Sequence, residues 1–539
     1  MKRLIVSLIF FVTISFTYAQ QTYVPDDNFE QALIDAGYDD VLDDYVITDS
    51  INSVTSLDVS NDSISDLTGI GDFIVLTELV CNNNQLTILD VSANTALTYL
   101  NCGYNNLTSL GVNNNTALTN LYCHQNQLAN LDVSSNTTLT YLDLANNQLT
   151  SLDVSGNTDL TDLHCANNQL TSLDVSNNTA LTFLSCGDGN QLTSLDVSNN
   201  TDLTDLYCAN NQLTTLDVSS NTALTVLTCS DNQLTSLDVS ANTALTYLSC
   251  SSNPLTSLDV SANTALTYLR CKNNQLTSLD VSINTALTNL YCYDNQLTSL
   301  DVSGNTDLTD LHCANNQLTS LDVSNNTALI VLICWSNQLT SLDVSNNTAL
   351  VFMDCGGNQL TTLDLSSNTA FIALICSYNQ LSYLDMRNGV TDAFEIFIAT
   401  DNSLTCIETL DPTYATQNWI YANGNIDEGV TFAVDCSPVA INAEIIPLKF
   451  QIYNAYPNPF NPVTTLRYDI PENSHVTITI YDMLGRHIKT LINQTQDAGY
   501  KSVIWNATDN FGKPVSAGIY LYQIQAGEYI STKKMVLLK

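Results

Sequence analysis

Cysteine recurs in this chain with a period of 21 residues. Cys81, Cys102 and Cys123 open the series, Leu144 takes the next place, and Cys165 and Cys186 follow. One residue is inserted in the stretch GDGNQ, and the same spacing then runs from Cys208 to Cys376. A segment that restates one phrase this strictly builds the same local structure each time, and such units bury a core only by stacking on one another. The leucine at position 144 shows what the site asks for, which is a small buried hydrophobe. Cysteines aligned in an apolar row serve as core residues here rather than as a disulfide framework.

Each unit divides into two halves of the forms LxxLxCxxNx and LxxLxVxxNxx, as in the recurring LTSLDVSNNTA. The alternation around the second leucine has period two, and no 3.6-residue period is sustained, so strands and turns are expected rather than helices. Asn, Gly and Ser at fixed offsets mark the turns. The Asn of each half, such as Asn168 and Asn178 or Asn316 and Asn326, can satisfy turn backbone that would otherwise lie unpaired inside the coil. These motifs resemble bacterial leucine-rich repeats of the nested IRREKO class over 76–386. The resemblance implies a mainly β solenoid, with coils about 4.8 Å apart and a rod of roughly 70 Å.

A solenoid exposes its ends unless they are covered. Residues 20–75 read as an amino-terminal cap: VPDDNFEQALIDAGY offers Asp26 or Asp27 as helix cap, Phe29, Leu33 and Ile34 as one face, and Gly37 as stop. Residues 387–437 read as the other cap. Cys406 and Cys436 fall outside the ladder phase there, an isolated pair expected to form a disulfide. Residues 1–19, MKRLIVSLIFFVTISFTYA, carry two bases, an apolar run and a small-residue cleavage site, which is the pattern of a secretory signal peptide. The run is shorter than the ~20 residues a membrane anchor needs, and no later segment reads as a span, so an exported chain without membrane insertion is expected.

The chain carries 54 acids and 14 bases, a net charge of −40. Bases are unevenly placed: between residues 20 and 448 only Arg270, Lys272 and Arg387 occur, against most of the acids. Nucleic acid and anionic membranes are poor partners for such a surface.

The repeats stop before a linker at 438–450. Short alternating stretches follow over 451–539 (TTLRYDI, HVTITIYD, SVIWNA, GIYLYQIQA, TKKMVLLK), separated by turn residues. That pattern predicts an antiparallel β-sandwich of Ig-like type. Asn458-Pro459-Phe460-Asn461-Pro462, Tyr481-Asp482 with Gly485, Trp505, Gly518-Ile519-Tyr520 and Lys533-Lys534-Met535 resemble the carboxy-terminal sorting domain of proteins exported by type IX secretion. The resemblance implies handling by the type IX machinery and a secreted or cell-surface location.

Comparison among the repeats separates two faces. LTSLDVSNNTA barely changes, whereas the half around Cys changes at every outward position and gathers aromatic and imidazole side chains there. Aromatics facing water in a patch point to a partner. Tyr122, His164, Tyr268, Arg270, Lys272, Tyr291, Tyr293, His312 and Trp335 are the candidate ligand-binding residues, centred on 268–335, where two bases stand in a field of acids. In the constant half an Asp recurs in every unit from Asp132 to Asp385. Hydrogen bonding to neighbouring hydroxyls is the plain reading of that row; a ladder of weak Ca²⁺ sites at Asp259, Asp280 and Asp301 is the sharper one. No HExxH, GxSxG or phosphate-binding loop occurs, and the histidines of the array are scattered. The expectation is a non-enzymatic binding protein without cofactor, recognising protein or glycan; the alternative is a structural spacer or adhesin-like component of a surface layer.

Overall fold

The computed structural model describes residues 19–437 and 447–538. Residues 1–18, and with them nearly all of the expected signal peptide, and residues 438–446 of the expected linker lie outside the described residues. The chain divides into two units, 1–436 and 437–539.

The first unit is the solenoid. Every coil contributes one short strand at the first half of the repeat, as in Tyr99–Asn101, Asn120–Tyr122 and Tyr141–Asp143. These strands pair parallel and in register, so that Leu100, Leu121 and Leu142 stand in one row. Two further rows, one of Cys and one of Val, run beside them; Cys102, Cys123, Val112 and Val133 are fully buried. All cysteines of the ladder are free thiols in this core, and burial pushes Cys102 and Cys250 up to about 12. They are packing groups rather than nucleophiles.

The asparagines close the coils. Asn126 donates from Nδ2 to the carbonyls of Cys102 (3.0 Å) and Cys123 (3.1 Å), and its Oδ1 accepts from the backbone N–H of Leu107 (2.9 Å). The Asn of the other half ties coils through its donors alone: Asn136 Nδ2 bonds the Val112 and Asn115 carbonyls of the preceding coil at 2.9 and 2.8 Å, and its buried Oδ1 accepts none of the hydrogen bonds described. Each amide thus ties its own coil to the coil before it. The inserted residue of GDGNQ is absorbed in a turn, with Asp188 and Gly189 both at positive φ, and Asn190 still reaches Cys165 and Cys186.

The sheet extends beyond the expected 76–386. It begins at Ser56–Asp58, inside the expected amino-terminal cap, and ends at Ile396–Ile398. The reason is local: VTSLDVSND (54–62) already holds Leu57 and Val59 at core positions, both buried, although Asp62 replaces the repeat's asparagine. What caps the array is smaller. A helix, Asp27–Asp35, buries Phe29 and Leu33, and its N-cap is Asp26. Asp26 Oδ1 accepts from Asn28 and Phe29, while Oδ2 accepts from the backbone of Ser65 and Asp66, pinning the helix to the first coil.

At the other end the constant half gains strands of its own. Thr362–Asp364, Tyr383–Met386, Cys406–Thr409 and Thr431–Ala433 form a parallel four-stranded sheet. Cys406 and Cys436 are joined in a disulfide. Trp419 stacks on Phe397 with centroids 4.2 Å apart, covering the last turn of core. Arg387 bridges Asp385 and Glu408 there, so one of the array's three bases is spent on a partly buried ion pair.

The second unit holds two antiparallel sheets. Gln451–Ile452, Thr464–Ile470 and Gly499–Trp505 form one; His487–Gln496, Ser474–Asp482, Gly518–Ala526 and Tyr529–Leu537 form the other. Leu466, Tyr468 and Trp505 of the first meet Ile478, Ile480 and Tyr522 of the second in one core, which is a β-sandwich. Trp505 donates from Nε1 to the Thr508 carbonyl at 2.9 Å, which satisfies the one polar atom of a fully buried ring.

Candidate binding face

A three-residue strand presents its first and last residues outward and its middle residue to the core, and in nearly every coil the middle residue is buried while its neighbours are half-buried. The variable positions of the sequence are these two. Their rings do not stand free in water as expected. They lie against one another, because neighbouring strands are close enough for ring-on-ring contact.

Two runs of rings result. In the first, Tyr99, Tyr122, Tyr141, His164, Phe183 and Tyr207 follow one another with centroids 4.4–5.3 Å apart. The rings alternate between the first and last strand positions, so the row zigzags. A second run begins at Tyr247, which stacks flat on Tyr268 (4.4 Å, 10°), and continues through Tyr291 to His312. Val226 and Thr228 separate the two runs. The candidate residues therefore split: Tyr122 and His164 belong to the first run, and Tyr268, Tyr291 and His312 to the second. In the first run the rings exchange regularly between the two outward positions of successive strands; in the second, Tyr247 and Tyr268 open their strands and Tyr291 and His312 end theirs.

Around the second run the only bases of the strand face are placed. Arg270 ends its strand, in register between Ser249 and Tyr291. Lys272 Nζ lies 5.1 Å over the ring of Tyr293, a cation–π contact, and Tyr293 in turn approaches His312. Trp335 is 40% exposed and makes no part of either run. Burial pushes the Tyr268 hydroxyl up to about 12 and moves His164 and His312 below the ordinary imidazole value, although Asp143 and Asp162 pull His164, and Asp310 pulls His312, the other way. Both histidines are thus held toward the neutral, stacking form. His124 sits elsewhere, with Nδ1 3.0 Å from Asp143 Oδ2 and the edge of Tyr104 against it.

The constant face has a different use for its carboxylates. Asp259, Asp280 and Asp301 each accept from the backbone N–H of the serine two residues on, at 2.9 Å. The serine side chain and this backbone bond lower all three carboxyls. Each Asp therefore closes its own turn. Among the described residues no group of three or more His, Cys, Asp or Glu is placed to hold a metal ion, and no helix is long and apolar enough to cross a membrane.

Comparison with known proteins places both units. The secretion system C-terminal sorting domain family matches residues 454–538, and the family of leucine-rich repeats in two copies matches 137–178 and 222–263. The functional domain of internalin J from Listeria monocytogenes, described as including a cysteine ladder, is 31% identical; the match covers 97% of this chain and all of that one, with a TM-score of 0.64. In sequence, 79 residues are 42% identical to internalin J of Listeria monocytogenes serotype 4b, a stretch that is 15% of this chain and only 8% of that protein. A leucine-rich-repeat protein of Leptospira interrogans shares the fold at 23% identity, with a TM-score of 0.55 over 66% of this chain and 92% of that one. The sorting domain indicates export by type IX secretion to the cell surface or the extracellular space. The cysteine ladder, the paired asparagine ladders and the whole-domain match to internalin J make this chain a member of the bacterial leucine-rich-repeat family, carrying a type IX secretion sorting domain.

Proposed function

We propose that the chain is an exported, non-enzymatic binding protein that engages a protein or glycan partner through its variable strand face, centred on residues 268–335. The observation that carries this is the contrast between the faces. On the constant side the recurring aspartates, such as Asp259, Asp280 and Asp301, are engaged in their own turns. On the strand side, half-buried rings lie one against the next from Tyr247 to His312, with Arg270 and Lys272 beside them. Aromatic and guanidinium groups of this kind contribute most to association per residue. Binding rather than catalysis is supported by the dispersal of the titratable groups: His164 and His312 belong to different runs, and the buried thiols are unreactive.

The mutual stacking of the rings also favours a second reading, a surface-layer spacer, since a spacer too must keep its aromatics from water. A screen of the mature chain against arrayed surface proteins and glycans separates the two. Saturable binding that Tyr268→Ala with Tyr291→Ala abolishes is expected; absence of any saturable ligand, with the same variant merely less stable, favours the spacer.

A further inference from the structure

The residue that precedes each strand is threonine from Thr77 to Thr309. Its hydroxyl donates to the carbonyl of the preceding threonine, as Thr267 does to Thr246 and Thr309 to Thr288, both at 3.1 Å. In the last coils the row changes to Ile330, Val351 and Ile372. The backbone bonds continue, Ile330 N–H to Thr309 O at 2.8 Å and Ile372 N–H to Val351 O at 2.9 Å, so the coil does not require the change. Ile330 is 42% exposed and Ile372 38%. The strand positions beside them turn apolar as well. Phe352 lies between Val331 and Ala373, and Asp354 lies between Ile333 and Ile375. Asp354 is a single carboxylate among aliphatic side chains, bonded only through Oδ1 to the Gly356 N–H among the hydrogen bonds described, and burial raises its carboxyl above the usual range.

We infer that this apolar patch on the last coils of the strand face is a second docking surface, for an extended apolar segment of a protein partner that carries one Lys or Arg. The patch adjoins the ring run of 247–312, where Ile333 pairs in register with His312, but contains none of its rings, and it stands whether or not that run binds anything. Charge selects the occupant. A purely apolar segment would bury Asp354 without a counter-charge, which costs several times what a paired contact does. A second copy of the chain, meeting this patch about a two-fold axis, would bring two Asp354 carboxylates together inside an already acidic array. A segment with apolar side chains for Ile330, Val351 and Ile372 and one cation for Asp354 meets both requirements.

The probe is a displayed random-peptide library panned on the full mature chain. The leading peptide is then measured by calorimetry on the wild type, on Ile330→Thr/Val351→Thr/Ile372→Thr, on Asp354→Asn and on Tyr268→Ala/Tyr291→Ala. Threonine restores the residue the array uses elsewhere, so the triple variant keeps its fold; Ile330→Thr alone serves if it does not. Enriched peptides are expected to be apolar with one basic residue, to lose at least tenfold in affinity on the threonine variant, to lose their preference for Lys or Arg on Asp354→Asn, and to bind the tyrosine variant unchanged. Equal binding to wild type and threonine variant, or enrichment of acidic or purely polar peptides, would overturn the inference. So would a concentration-dependent dimer that the threonine variant abolishes, since that assigns the surface to a second copy.

Discussion

Asparagine is the residue on which the coil depends. A buried carbonyl left without a donor costs about 1–3 kcal/mol, more than the net worth of most hydrogen bonds. Asn232 donates to two buried carbonyls, of Cys208 and Cys229, which it shares with Asn211 and Asn253, and it accepts from Leu213 N–H, a buried donor that is as costly to leave unpaired. Asn232→Ala is therefore expected to destabilise the array by about 1–3 kcal/mol, since the buried Leu213 N–H loses its acceptor while each carbonyl keeps its second donor. Hydrogen exchange is expected to speed up first at the coils on either side of residue 232. Asp280→Asn offers the contrast, because its turn is at the surface and an amide oxygen can accept the same bond; little change is expected. A loss for Asp280→Asn as large as for Asn232→Ala in urea denaturation would show that the two ladders do not differ in this way.

At the scale of the element, the strand face couples neighbouring coils through rings. His164 stacks on Phe183 (4.4 Å) and His312 meets Tyr291 edge-on (4.5 Å), and burial holds both imidazoles below their ordinary pKa. In the unfolded chain they titrate near the ordinary value of about 6.5. Below that pH the unfolded state binds more protons than the folded one, so these groups contribute stability above about 6.5 that is lost as the pH falls toward their folded values. The constant-face carboxylates are lowered and lose their contribution only at more acid pH. Between pH 7.5 and 5.5 the melting temperature of the wild type is expected to fall more than that of His164→Gln/His312→Gln. Parallel curves would remove the histidines from the account.

The same element shows what the sequence could and could not disclose. Cys, Leu and Asn announce their places by strict periodicity, and Asp26 announces the helix it caps through the residues that follow it. Domain edges were less legible: Leu57 and Val59 already sit in core register, but Asp62 in place of asparagine hides that coil. Outward positions carry no periodic constraint, so Tyr268 and Tyr291 could be read as outward but not as stacked on one another. Ile330, Val351 and Ile372 stand one period apart, so their alignment is legible in the chain, but the exposure of Ile330 and Ile372 follows only from the coil.

The whole molecule is an array whose stability is the sum of coil and interface contributions, followed by a separately packed sandwich with its own core. Because each unit has a core cluster of its own among the described residues, deletion of 454–538 is expected to leave the array folded but retained by the cell. Undiminished protein in the medium of a type IX-competent host would count against that.

On the proposed function, one face of the array binds and the other only holds it together. The most direct measurement is the affinity of the first ligand recovered from the array screen for two double variants in the full mature chain. Tyr291→Ala with Trp335→Ala, on the strand face, is expected to cost well over about 1 kcal/mol, roughly tenfold or more in Kd. Asp280→Asn with Asp301→Asn, on the constant face, is expected to leave Kd unchanged within error. If the two variants lose affinity alike, or the second loses more, the strand face is not the binding face.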